Sequence, residues 1–223
     1  MSPMLVGLLL NGLQETCFMV AVSAALASIA GVPLGVILVV TDRGHILENL
    51  PVNRVLGAIV NATRSTPFII LMIAIIPLTR LIIGTSIGTE AATVPLTIAA
   101  APFVARLAEA SLREVDPGLI EAAQAMGATP MQIILKFLLP EARPGIIAGI
   151  TITVVSLIGY SAMAGAVGGG GLGDLGIRYG YQRFQPDVML AVVVVLIILV
   201  QVVQSLGDWI ARRLNKRLIR GKS

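Results

Sequence analysis

Five apolar stretches dominate this chain, and each is long enough to cross a membrane as a helix. They cover residues 16–40, 67–83, 91–107, 145–167 and 188–206. Crossing the hydrocarbon core takes about 20 apolar residues, with a range of roughly 17–25. Inside a bilayer every backbone polar group must be hydrogen-bonded internally, which a helix achieves by itself. The stretches therefore predict an all-α membrane protein with five transmembrane helices.

The composition excludes the main soluble classes. Only 13% of the residues are charged and 56% are hydrophobic, whereas soluble domains carry about 25% charged residues. An aromatic content of 4% and 23 glycines favour closely packed helices over a β-barrel with aromatic girdles. A single cysteine, Cys17, and a single histidine, His45, offer neither a disulfide nor an intrachain metal site. We expect no cofactor.

The basic residues predict the orientation, because they concentrate on the cytoplasmic side of membrane proteins. With the N-terminus outside, the inner segments hold thirteen of the sixteen Lys and Arg residues, and the outer segments hold Arg80, Arg178 and Arg183. Six of the inner thirteen lie in the tail 207–223. The pattern indicates an N-out, C-in chain whose tail contacts anionic lipid. It argues against nucleic-acid binding.

The longest inner connection, residues 109–143, encodes two short helices. Asp116 followed by Pro117 is a good helix start, an acceptor at the N-cap and then a residue without an N–H. Gly127 suits the left-handed position that ends such a helix. The connection therefore contains a first helix that stops at a glycine.

A second helix is predicted directly after Gly127. Thr129 and Gln132 have the spacing of a capping box, and Pro130 occupies the first helical position between them. Because proline breaks the helical hydrogen-bond pattern, we expect this helix to end before Pro140. The pair is either an amphipathic connector between two spans or a docking element for a cytoplasmic partner.

One motif in this connection favours docking. Glu121-Ala122-Ala123, then Gly127 after three residues, then Phe137-Leu138-Leu139-Pro140 after nine resembles the EAA motif of ABC-importer permeases, EAA-x3-G-x9-I-x-L-P. Phe137 replaces the usual isoleucine and keeps the position apolar. The resemblance implies a type I importer permease fold in which residues 118–127 form a cytoplasmic coupling helix. In that family the helix contacts the ATPase through the positions of Glu121, Ala122, Ala123, Met126 and Gly127.

More of the chain resembles the methionine-importer permeases (MetI type). The similar stretches begin at Arg64, Ile76, Val94, Ala101, Gly159 and Gly170. The resemblance implies a homodimeric, multi-pass permease of the bacterial inner membrane, two ATPase subunits, and a periplasmic or lipoprotein binding protein that delivers methionine. Such a permease is not an enzyme, because ATP hydrolysis resides on the separate subunit. The alternatives are a permease for another amino acid, a secondary transporter or a membrane scaffold.

The fourth span carries a candidate pathway face. Ser156, Tyr160 and Met163 follow i, i+4, i+7 spacing and share one helical face. With the neighbouring Ser161 they are candidate pathway or gate residues, and the alternative is a packing face. No Asp, Glu or Lys lies deep within any predicted span. This argues against a proton-coupled carrier, which needs a buried titratable group.

The remaining segments predict connections within one domain, residues 1–223. Residues 4–15 resemble a short interfacial helix, and residues 51–66 a polar extension of the second span. The glycine pattern over residues 171–176 spells a dinucleotide fingerprint but lies in an outer connection, where a flexible loop that forms part of an external gate or contacts a binding protein is the better interpretation. Two small-residue pairs predict close helix packing, Gly31 with Gly35 and Gly145 with Gly149.

Overall fold

A computed structural model describes residues 3–214, with side chains from Leu5 onward. The basic residues predicted at the tail's far end, Lys216, Arg217, Arg220 and Lys222, lie outside the described part. All regular structure in that part is helical, including two π-helical segments. The α-helices are α1 (Pro3–Val40), α2 (Leu50–Ser65), α3 (Phe68–Ala74), α4 (Ile76–Ile83), α5 (Thr89–Arg113), α6 (Pro117–Ala125), α7 (Pro130–Ile133), α8 (Leu139–Ala166), α9 (Gly171–Leu175) and α10 (Pro186–Leu214).

Four helical segments in the described part are long and apolar enough to cross a membrane. They are Leu5–Val40, Thr89–Arg113, Pro130–Ala166 and Pro186–Leu214. Residues 4–15 continue directly into the first of them, so the predicted separate interfacial helix is wrong. No proline occurs among residues 4–15 to break the helix. The polar side chains of Glu15 and Thr16 accept hydrogen bonds from backbone N–H groups of α9.

The second predicted span, residues 67–83, is divided in the structure. α2 and α3 are bent by 104° at the break between Ser65 and Phe68, a geometry of either a broken fifth span or a re-entrant loop. Pro67, with ψ of 134°, stands at that break, and its extended backbone cannot continue a helix. A second interruption falls at Ile75, two residues before Pro77, where α4 begins. Residues 51–66 therefore do not extend the second span in a straight line.

The Cα positions group into two compact units, and each has its own apolar core. Unit 1 consists of Met1–Ala27, Thr66–Ala100 and Thr153–Gln204, and unit 2 of Ser28–Ser65, Ala101–Ile152 and Ser205–Ser223. In unit 1, buried Leu9 packs with Leu172, Leu175, Val188 and Val192. In unit 2 a larger cluster joins the ends of α1, α5 and α8.

Within unit 2, the predicted glycine pairs lie where helices approach closely. A Cβ added to Gly35 would lie 2.6 Å from the Ala105 carbonyl oxygen, and one added to Gly31 would lie 2.6 Å from that of Ala101. The added Cβ atoms at Gly145 and Gly149 would meet Ser111 Oγ at 2.7 Å and Leu107 Cβ at 2.9 Å. Both pairs thus permit packing against α5, as the sequence predicts.

Replacing Gly35 with alanine is expected to destabilise the protein by about 1–3 kcal/mol, the usual cost of overpacking. The new methyl group meets backbone atoms of α5, which cannot rotate away. Gly7→Ala on the same helix is the matched control, because no described atom lies within 4 Å of its added Cβ. Thermal unfolding of both variants in detergent checks this. Equal midpoints for the two would contradict the packing.

Candidate functional site

Helix α6 is capped at both ends by the groups that the sequence predicts. The Asp116 Oδ1 atom accepts a hydrogen bond from the Gly118 N–H at 2.8 Å. At the other end Gly127 has φ of +75°, the Gly127 N–H donates to the Gln124 carbonyl at 2.9 Å, and the Ala128 N–H donates to the Ala123 carbonyl at 3.0 Å. This pair of bonds is a Schellman motif. The helix therefore stops sharply.

The two faces of α6 have different environments. Leu119 and Ile120 pack against the core cluster of unit 2, and Ala123 is completely buried. Glu121 and Ala122 are exposed. The side chain of Met126, just beyond the helix, is 72% exposed. The helix is thus held by one face and presents a mixed polar and apolar surface with the other.

The segment after Gly127 differs from the prediction at its far end. The capping box is present, with the Thr129 N–H donating to Gln132 Oε1 at 3.0 Å and the Gln132 N–H to Thr129 Oγ1 at 3.4 Å. The helix does not stop before Pro140, however. Residues Ile134–Leu138 form a π-helical segment, and the chain continues helically to Ala166.

The π-helical segment explains how proline is accommodated. The Leu139 N–H donates to the Ile134 carbonyl, five residues earlier. Because Pro140 has no N–H, it breaks the regular pattern at this point, and a π-helical turn re-pairs the neighbouring groups. We call residues 116–138 the elbow. The second part of the elbow, from Pro130, runs without interruption into α8, so the turn at Gly127 joins α6 to a candidate membrane-spanning segment.

The elbow rests on a continuous apolar core in unit 2. Leu119 and Ile120 of α6 and Ile134 and Leu138 of the π-helical segment meet the ends of α1 and α5 there. Close-packed interiors resist compression and transmit displacement. α1 contributes Val36, Val39 and Val40, α5 contributes Ala108 and Leu112, and Val115 follows the end of α5.

Sequence reasoning missed a polar network beside this core. Glu109 is 7% exposed, and its carboxylate bonds Arg106 at 2.6 Å and Arg113 at 2.9 Å. Arg106 also donates to Asn61 Oδ1 of α2 at 2.9 Å, and Arg113 to Asp42 Oδ2 at 2.6 Å. The hydrogen bond from Arg113 lowers the pKa of the Asp42 carboxyl. The i+3 and i+4 spacings around Glu109 were the available signal.

The predicted face of α8 is only partly brought together. Ser156 and Tyr160 are half-buried, and Met163 is 48% exposed. The Tyr160 ring stacks on Phe68, with centroids 4.8 Å apart and planes 8° apart. Ser161 points elsewhere, because it is buried and its hydroxyl donates to the Ile158 carbonyl at 2.8 Å. Phe68 is the partner that the sequence did not identify.

The glycine-rich segment after α8 is not the flexible loop that the sequence suggests. The Gly171 N–H donates to Glu15 Oε2 at 2.6 Å and the Leu172 N–H to Thr16 Oγ1 at 2.9 Å. These side chains of α1 cap the short helix α9, and Leu172 is fully buried. A Cβ on Gly173 would collide with backbone atoms of Ala162. The glycines therefore serve close packing.

Comparison with known proteins decides the family. The pattern of the family described as "Binding-protein-dependent transport system inner membrane component" matches residues 31–220. The chain belongs to this family. The matched residues include the elbow and the whole of α8, and the membership makes this inner-membrane component a transport protein rather than an enzyme. It also confirms the predicted multi-pass location in the inner membrane of a bacterium.

Curated relatives of this inner-membrane component match about three quarters or more of its length. A probable D-methionine transport system permease protein, MetI, of Vibrio cholerae is 60% identical over 210 residues, covering 94% of this chain and 93% of that protein. The D-methionine transport system permease protein MetI of Escherichia coli K12 is 54% identical over 165 residues, covering 74% of this chain and 76% of the relative.

Solved structures share the fold of this inner-membrane component. A chain of the MetNI methionine ABC transporter in inward-facing conformations matches with a TM-score of 0.95 and 52% identity, covering 96% of this chain and 100% of that one. An amino acid ABC transporter solved with histidines matches with a TM-score of 0.77 at 18% identity, covering 93% of this chain and 94% of that one. At 18% identity the second match shows the fold alone.

Proposed function

We propose that the chain is the permease subunit of an ATP-driven importer that carries methionine. Two copies form the translocation pathway, two ATPase subunits attach from the cytoplasm, and a binding protein delivers methionine from outside. The near-full-length similarity to MetI permeases supports the substrate, and the match to the MetNI transporter supports the assembly. The exposed face of α6, held on the core by its opposite face, is the single observation that carries the coupling role.

The proposed arrangement in the membrane is one domain over residues 1–223 with five crossings, N-out and C-in. The four long helical segments and the bent pair α2–α3 supply the crossings. The elbow then faces the cytoplasm, together with thirteen of the sixteen basic residues. A permease that holds no nucleotide site of its own must be moved by a partner at that face, through an element with two discrete positions.

The exposed surface of α6 has the chemistry of a protein-docking site. Glu121 offers a charge, and Ala122 offers small apolar surface on which a partner helix or groove can lie closely. Met126, at 72% exposure, is an unbranched apolar side chain that adapts its shape to a partner. Gly127 sets the direction in which the chain leaves the contact. We infer that these residues, with buried Ala123 as the packing position beneath them, form the ATPase contact.

One face of α8 is the proposed pathway face. Half-buried Ser156 and Tyr160 and exposed Met163 lie along it, and the stack with buried Phe68 fixes the position of the Tyr160 ring. Five helices enclose a route poorly by themselves, whereas a two-fold partner supplies the other half. Alternating access then exposes this face to each side in turn. Ser161 contributes from the buried side by fixing the local helix geometry.

A cysteine at position 163 is expected to react with a membrane-impermeant thiol reagent and to lose uptake as it does so. A pathway face is wet, whereas a lipid-facing stripe excludes a charged reagent. The variant is Met163→Cys with Cys17→Ser, since Cys17 is itself exposed. Ser161→Cys in the same background is the matched control, being 2% exposed. Labelling rates of the two variants in the reconstituted importer show whether position 163 is accessible to water. Protection of position 163 in every transport state would contradict the pathway role.

Reconstitution tests the function as a whole. The permease, its ATPase partner and the binding protein are placed in proteoliposomes, and uptake of D- and L-methionine is measured with a Walker A variant of the ATPase as control. We expect methionine uptake that requires both ATP and the binding protein. Uptake of a different amino acid would support the runner-up substrate. Uptake driven by an ion gradient without ATP would indicate a secondary transporter, and the absence of flux a scaffold.

A further inference from the structure

An open cavity of about 610 Å³ lies in unit 2, beside the elbow. Its walls come from the end of α5, the π-helical segment, the start of α8 and the last turn of α10. Helix α6 contributes Leu119, which is on the face opposite the proposed ATPase contact. The volume falls in the range of small-molecule sites, roughly 300–1,000 Å³. The cavity is therefore large enough for a ligand and separate from the docking surface.

The charge on its walls favours an anion. Lys136, Arg143 and Arg212 line the cavity together with the carboxylates of Glu114 and Glu141. All three cations are exposed, and none of them forms a salt bridge within residues 5–214. Guanidinium groups bind phosphate oxygens in a bidentate manner, with a lysine as an added point charge. The sequence has four further basic residues between positions 216 and 222.

The helix that closes one side of the cavity has the surface of a lipid-facing helix. Only 11% of the most apolar 18-residue stretch of α10 is buried, the smallest share among the four candidate spans. Near its end Leu206 is 55% and Trp209 is 50% exposed. The Arg213 guanidinium lies 4.2 Å from the centroid of the Trp209 ring, and tryptophan is enriched at the membrane–water interface. Acyl chains can thus lie along α10 while a headgroup reaches the cavity.

We propose that this cavity binds the headgroup phosphate of an anionic phospholipid from the cytoplasmic leaflet, through Lys136, Arg143 and Arg212. The inference rests on the proposed C-in orientation, which brings the cavity to the inner headgroup layer. A soluble phosphate ester offers the same anion but no acyl chains to cover the apolar surface of α10. Because the walls include the end of α5 and the start of α8, which flank the elbow, the bound lipid holds these helices together at the level where α6 is moved.

The test measures lipid retention by the whole importer complex in nanodiscs. Complexes are prepared in phosphatidylcholine with or without phosphatidylglycerol, and bound phosphatidylglycerol is counted by native mass spectrometry. Arg143→Gln with Arg212→Gln is expected to lower the relative affinity by roughly 30-fold, the combined effect of two surface cations. Arg43→Gln with Arg54→Gln removes two exposed cations of unit 2 outside the cavity and should leave retention unchanged.

A second variant guards against a folding defect. Glu114→Gln removes a carboxylate from the cavity wall and is expected to raise retention, which misfolding cannot do. Equal retention by the wild type and the Arg143/Arg212 variant would overturn the proposal. So would displacement of phosphatidylglycerol by inorganic phosphate, which would indicate a soluble-anion site. Methionine-dependent ATP hydrolysis, measured on the same wild-type samples, reports separately on the proposed function.

Discussion

Glu121→Lys is expected to abolish the ATP hydrolysis that the loaded binding protein stimulates in the assembled importer, while the permease still inserts and folds. The side chain is exposed in the isolated chain, so its replacement removes no internal contact that holds α6. In the assembled importer, however, the change reverses the charge of a group at the centre of the proposed contact. Losing one buried charged partner at an interface costs about 2–5 kcal/mol, which corresponds to roughly 30-fold or more in affinity.

The matched control is Glu48→Lys. It introduces the same change of charge on an exposed residue of the connection between α1 and α2, outside the EAA motif and outside the cavity beside the elbow. Hydrolysis by that variant is expected to stay near the wild-type rate. Both variants are purified with the ATPase partner, and the stoichiometry of the complex is measured beside its activity. Normal stimulated hydrolysis in Glu121→Lys would count against α6 as the docking element.

The second large effect is expected at Gly127. Its φ of +75° is a conformation that proline, with φ fixed near −65°, cannot adopt. No atom of the described chain lies within 4 Å of a Cβ added there, so the restriction is one of backbone conformation and not of space. Gly127→Pro is therefore expected to redirect the chain after α6 and to abolish stimulated hydrolysis.

Gly127→Asn separates the effect of backbone conformation from the effect of side-chain size at the same position. Asparagine tolerates the left-handed region better than other residues with a side chain, so this variant is expected to keep most of the stimulated hydrolysis although it adds more atoms than a methyl group. Stimulated ATPase rates of the two variants in the same reconstituted system give the comparison. Equal loss in both would mean that the site excludes any side chain, contrary to the open space observed.

The elbow was predictable because its structure is local. The caps at Asp116 and Thr129 and the left-handed position of Gly127 depend on hydrogen bonds between residues at most five apart. A single sequence displays such spacings directly. The same reasoning failed at Pro140, where the sequence predicts a stop and the chain instead inserts a π-helical segment. The core of unit 2 holds that segment in place, and this tertiary contact is not visible in the local pattern.

Contacts between distant residues account for the other differences. Glu15 and Thr16 cap α9 from 156 residues away, so the glycine-rich segment is ordered by side chains that no nearby spacing identifies. Phe68 reaches Tyr160 only through the fold. The 104° bend between α2 and α3 follows from Pro67, whose presence indicates a break but not its angle. Apolar length alone therefore predicted where the apolar helical segments lie better than it predicted their shape.

The position of α6 on the cytoplasmic side, against the ATPase, is the claim on which the account depends. Met126→Cys with Cys17→Ser places one reactive thiol on its exposed surface. A membrane-impermeant reagent is applied to sealed right-side-out and inside-out vesicles, with and without the ATPase subunit. We expect labelling in inside-out vesicles alone, and protection when the ATPase is bound. Labelling in right-side-out vesicles, or labelling that the ATPase does not change, would contradict the placement of α6 on the cytoplasmic side against the ATPase.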